Sequence, residues 1–142
     1  MYFDQDDIDT RYPGALEQAG PRNADGDLDG DAIDAAIVWA ESQANTYLGP
    51  RYGVPLARPA PAWLKDRLVD MALYRLTPSV VLDTFADRRT RSDAAIAFLQ
   101  AIHDGKLDPP TTPAAALSPD APTPPAQVVF ELGRRDFADE DY

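Results

Sequence analysis

Four prolines, Pro50, Pro55, Pro59 and Pro61, fall within twelve residues of one another and set the strongest constraint on the fold. Each locks φ and removes an amide donor, so neither a helix nor a β-ladder runs through this stretch. On both sides the apolar residues recur at intervals of three and four: Ile33, Ile37, Ala40, Ala44 and Tyr47/Leu48 before it, Leu64, Leu68, Met71, Ala72 and Leu76 after it. That spacing is the period of an amphipathic helix. The chain is therefore expected to form helices over residues 32–48 and 60–77, joined by a crossing with few conformations to lose. Gly49 reads as the C′ residue of the first and Pro50 as its stop, and Pro61 fits the first turn of the second. Trp63, Val69, Leu73 and Tyr74 widen the second apolar face, so that helix is expected to be central, with neighbours on two sides. Trp39, at the edge of the first stripe, suits core or interface packing.

In front of the first helix lies an acidic loop, Asp25-Gly26-Asp27-Leu28-Asp29-Gly30-Asp31. Counted as an EF-hand, Asp25, Asp27, Asp29 and Asp31 take positions one, three, five and seven, with Gly30 at six. The twelfth position needs a bidentate glutamate and is Ala36, and the apolar eighth is Ala32. A calcium-responsive binding module is thus the alternative function. The simpler reading is a solvated loop whose Asp31 caps the helix, with Asp34 in the first turn. At the other end of the helix Tyr52 is expected to pack on the hairpin and Arg51 to pair with a carboxylate.

Residues 4–12 read as a short helix capped by Asp4 and anchored by Ile8. Pro13-Gly14 breaks it, and residues 15–19 make one more turn before Gly20-Pro21. Beyond Pro78, residues Val81, Leu82 and Phe85 lead into Arg88, Arg89 and Arg91; a stripe of Ala95, Phe98, Leu99 and Ile102 then ends at Gly105. After Lys106 the composition shifts to Pro109, Pro110, Pro113, Pro119, Pro122, Pro124 and Pro125, an extended polyproline-like arm. The run Gln127-Val128-Val129-Phe130-Glu131-Leu132 is strand-like and has no local partner, so it is expected to pair with or dock on another subunit. The expected class is all-α: a small bundle of about four helices in residues 1–106, with an extended Pro-rich C-terminal arm over residues 107–142 that ends in a short strand.

Composition bears chiefly on function. The chain has no cysteine, which removes thiolate catalysis, disulfides and Cys-based zinc sites. The one histidine, His103, falls in a last helical turn without metal-ligand company and reads as structural. There is no phosphate loop and no Ser/His/Asp arrangement, so no enzymatic activity and no cofactor are expected. No apolar run reaches the roughly 20 residues needed to span a bilayer, and the acidic start is unlike a signal peptide; the protein is expected in the cytoplasm where it is made, away from membranes. Acids outnumber Lys and Arg by 24 to 13, a net charge of −11, which disfavours a grip on phosphates. DNA contact through Arg88, Arg89 and Arg91 ranks third among the functional readings; arginines in so acidic a chain more often meet carboxylates within the fold or on a neighbour.

In order and spacing, several short motifs are similar to a known family. They are Asp25, Asp27, Asp29, Gly30, Ile33 and Asp34; Tyr47-Leu48, Arg51-Tyr52 and Pro55-Leu56; Tyr74-Arg75-Leu76; Asp93-Ala94, Phe98-Leu99 and Gly105-Lys106-Leu107; and the terminal Arg135-Asp136-Phe137. The chain resembles the Mu-like prophage family of small virion proteins, grouped with head–tail connector (adaptor or head-completion) proteins of long-tailed phages. The acidic loop departs by one extra residue before Ile33, and the arm is unusually rich in proline. The resemblance implies a ring of this chain beneath the portal protein, twelvefold if it follows the portal. That ring would continue the DNA channel and meet a tail-side neck or tail terminator protein, with DNA passing through unbound. It implies a place in the virion at the head–tail junction. Assembly contacts are expected at Arg51 and Tyr52, and along the terminal segment at Val128, Val129, Phe130, Leu132, Arg134, Arg135 and Phe137.

Overall fold

A computed structural model describes residues 1–77 and 82–113. In them the chain is all-α, as expected, with five helices: α1 (Gln5–Arg11), α2 (Ala15–Ala19), α3 (Gly30–Leu48), α4 (Ala62–Leu76) and α5 (Leu82–His103). Arg22 and Leu28 form an isolated antiparallel bridge. No helix of the described residues is long and apolar enough to cross a membrane.

The helix α4 is the centre. It packs on α3, α5 and α1, and α3 also meets α5. Its residues Leu64 and Leu68 through Leu73 are all buried, a run too long for one face, which is why it needs neighbours on three sides rather than the two its stripe suggests. The α3 stripe supplies Ile33, Ile37, Ala40, Ala44 and Leu48, and α5 supplies Ala95, Leu99 and Ile102 to the same core.

The helix ends follow local chemistry. Asp4 and Asp7 form a capping box at α1, each carboxylate accepting from the other's amide at 3.0 Å. Gly20 is required for space: a Cβ there would lie 2.4 Å from the Leu16 carbonyl oxygen. The end of α5 has the expected Gly105 stop, at φ 73°, and is a Schellman turn with the Lys106 amide bonded to the Ala101 carbonyl at 2.9 Å.

Two details differ from expectation. The helix α3 starts at Gly30, and Asp29, not Asp31, is its N-cap, accepting from the Ala32 amide at 3.1 Å. Asp29 keeps extended backbone while Gly30 already turns helical, so Asp31 falls in the first turn. Gly49 is not left-handed; its φ is −52°, and α3 stops because Pro50 has no amide to continue the ladder. The arginine cluster lies inside the last helix, since α5 runs unbroken from Leu82 to His103.

One element was not legible beforehand. Tyr2 and Phe3 are buried. The Tyr2 hydroxyl donates to Asn45 Oδ1 at 2.5 Å and accepts from the Leu56 amide at 2.8 Å, and the Tyr2 amide donates to Glu41. The N-terminal residues thus tie α3 to the proline crossing. Tyr2→Phe should cost about 1–3 kcal/mol, because the buried Leu56 amide loses its acceptor; a urea midpoint matching the unsubstituted protein would contradict this.

Candidate functional site

The expected sites fall in three places. At the acidic loop, Asn23 occupies the centre. Its side-chain oxygen accepts from the Asp25 amide at 2.9 Å and the Asp27 amide at 3.0 Å. Its own amide donates to the Asp27 carbonyl at 2.8 Å, and Gly26 turns the chain at φ 87°. This is an Asx-type turn that closes on itself. The carboxylates of Asp25, Asp27, Asp29 and Asp31 do not converge: among the described residues no three acidic or histidine side chains surround a point where a metal could sit. Asp29, moreover, is spent on the helix cap.

At the exit of α3, Arg51 turns inward. Its Nη1 donates to the Ile102 carbonyl at 2.8 Å and the Leu107 carbonyl at 3.4 Å, and its Nη2 pairs with Asp108 at 3.1 Å. Its guanidinium stands 5.4 Å from the centre of the Tyr52 ring, and that ring is half-buried against the core. The expected carboxylate partner is therefore present, and so is the packing of Tyr52 on the hairpin. Arg51 also joins the last turn of α5 to the first residues of the arm. Val128, Val129, Phe130, Leu132, Arg134, Arg135 and Phe137 lie outside the described residues.

The arginines of α5 meet groups of their own chain. Arg91 Nε lies 3.1 Å from Asp87 and Arg89 Nε lies 3.9 Å from Asp93, both one helical turn away. Arg88 Nη1 donates to Thr77 Oγ1 at 2.5 Å, and burial lowers its pKa. Beside them is a centre that the apolar patterning concealed. Asp70 has a side chain only 4% exposed in the middle of α4. It accepts from Arg11 Nε at 3.3 Å, Arg11 Nη2 at 3.2 Å and the Tyr12 hydroxyl at 2.5 Å. Arg11 also pairs with Asp66 at 3.3 Å, and Arg91 Nη1 donates to the Tyr12 hydroxyl at 3.1 Å. Burial and the hydrogen bond to Asp70 raise the Tyr12 phenol above its usual range. Burial opposes the charge on Arg11, but the bond and attraction to Asp70 outweigh it and raise its pKa. A pocket of about 240 Å³ opens here, lined by Tyr12, Asp70, Leu73, Thr84, Arg88 and Arg91 among others. The one signal available beforehand was a carboxylate inside the otherwise apolar run Leu68-Val69-Asp70-Met71-Ala72-Leu73.

His103 meets the Tyr47 ring edge-on at 6.4 Å and lies 2.9 Å from the Asp104 carboxylate, which agrees with a structural role. What the arrangement does is join α1, α4, α5 and the crossing into one body.

The family is decided by comparison. The model of the family described as Bacteriophage Mu, Gp36 matches residues 2–127, nearly the whole chain. The chain belongs to this phage family. The Gp36 match begins at the buried Tyr2, takes in all five helices and the proline crossing, and ends at Gln127. The terminal Arg135-Asp136-Phe137, one of the motifs of the resemblance, lies beyond it. No curated protein matches the chain.

Proposed function

We propose that this member of the Gp36 family is a structural protein of the phage head–tail junction, forming a ring beneath the portal that continues the DNA channel and docks neck or tail components. The observation that carries the reading is membership of a phage family over residues 2–127, in a helical body. A closed ring needs head-to-tail contacts between copies, and an arm that begins beside the body and continues past residue 113 has the length to reach a neighbour. A net charge of −11 suits a channel through which phosphates pass without adhering. The partners are other copies of this chain, twelve if the ring follows the portal, with the portal protein above and a neck or tail terminator protein below. The protein resides in the virion and is made in the host cytoplasm; the reading assigns it no catalysis and no cofactor.

The test is a chain ended at Pro113. Ending it at Lys106 would remove Asp108 and Thr111, which bond to the body. The 1–113 chain should keep the circular dichroism and melting midpoint of the full chain yet fail to join the same phage's portal protein in sedimentation. Binding equal to that of the full chain would remove the arm from assembly. Absence of the full-length protein from purified virions would overturn the reading itself.

A further inference from the structure

The base of the arm is held at two points, both from the ends of the proline crossing. Arg51, one residue past Pro50, grips the Ile102 carbonyl, the Leu107 carbonyl and the Asp108 carboxylate. Trp63, two residues past Pro61, donates its indole N–H to Thr111 Oγ1 at 3.0 Å, and its ring packs on Phe98 with centroids 5.8 Å apart. At and between the two points the backbone has little freedom. The Lys106 and Leu107 amides both bond to the Ala101 carbonyl, at 2.9 and 3.2 Å, and Pro109 and Pro110 fix two consecutive φ angles. Pro113, two residues past Thr111, is buried.

We infer that Arg51 and Trp63 are positioning residues, a two-point clasp that sets where and in what direction the proline-rich arm leaves the body towards its acceptor on the portal protein. The inference rests on the assembly role proposed for the arm. A tether held at its root reaches a distant acceptor at a higher effective concentration than one that starts several residues earlier from a loose turn, and holding residues 107–113 in place removes an ordering cost from association. The exposed pair of Arg51 with Asp108 contributes little by itself; the bond to the Ile102 carbonyl and the indole bond to Thr111 make the hold a joint one. Arg51 thereby acts on assembly from inside its own chain.

Lys106 is exposed and its following bond lies within the clasp, so trypsin reports directly on it. In the full chain, Arg51→Gln with Trp63→Phe should raise the rate of appearance of the fragment ending at Lys106 by roughly tenfold or more, and should weaken association with the portal protein by a similar factor. Because these substitutions also touch the body, Asp108→Asn with Thr111→Val breaks the same clasp from the arm's side. It should reproduce both effects with the melting midpoint unchanged. Faster cleavage with undiminished association would overturn the positioning role, and cleavage unaltered in both pairs would overturn the clasp. Failure of the proposed assembly role would show separately, as a full chain that does not bind the portal at all.

Discussion

Asp70→Ala is expected to destabilise the protein by about 3 kcal/mol, the lower edge of what removing one partner of a buried ion pair costs. The carboxylate accepts three hydrogen bonds and is almost wholly removed from water. Its loss leaves the Arg11 guanidinium and the Tyr12 hydroxyl facing a gap, which is costlier than the loss of the bonds alone. Arg11 remains 31% exposed and retains Asp66, which keeps the effect at the lower edge. Asp66→Ala is the control: its side chain is 55% exposed, and a surface pair of that kind contributes at most about 1 kcal/mol. Urea unfolding of the two variants measures the difference; equal midpoints would mean that Asp70 is no more than another surface acid.

Leu68→Ala should cost about 2–5 kcal/mol, because it deletes a fully buried side chain where α4 is covered from several sides and its neighbours have little room to collapse. The paired control is Val38→Ala on α3, where the side chain is 55% exposed and the change is expected to stay within about 0.5 kcal/mol. Thermal unfolding distinguishes the two. A loss at Val38 as large as that at Leu68 would place a covered surface on the outer face of α3.

The parts of the fold that were legible in the sequence are those set by period and by proline. The stripes of Ile33 to Leu48 and Leu64 to Leu76 located α3 and α4 to within two residues, since burial of one face leaves a direct trace in the order of apolar residues. The start of α3 was misplaced because Asp29 and Asp31 are equally good capping residues by type, and only backbone geometry chooses between them. The length of α5 was hidden because its first half carries Arg88, Arg89 and Arg91, which interrupt the stripe while meeting Asp87, Asp93 and Thr77 within the chain. The site was less legible than the fold. Asp70 and Tyr12 are 58 residues apart and Arg51 and Asp108 are 57 apart. Pairings at that distance have no periodicity to announce them; they exist only once the helices have met. The partner of Arg51 could be named as a carboxylate from charge alone, but its grip on the end of α5 could not.

The burial of α4 on three sides also determines how the molecule comes apart. Because α1, α3 and α5 all rest on it, none can swing away without wetting the run Leu68 to Leu73, whose exposure forfeits much of the core. The helices α1, α3, α4 and α5 are therefore expected to open together, as one cooperative unit. A substitution that loosens one of these four helices is then felt at the other three, through the run they share.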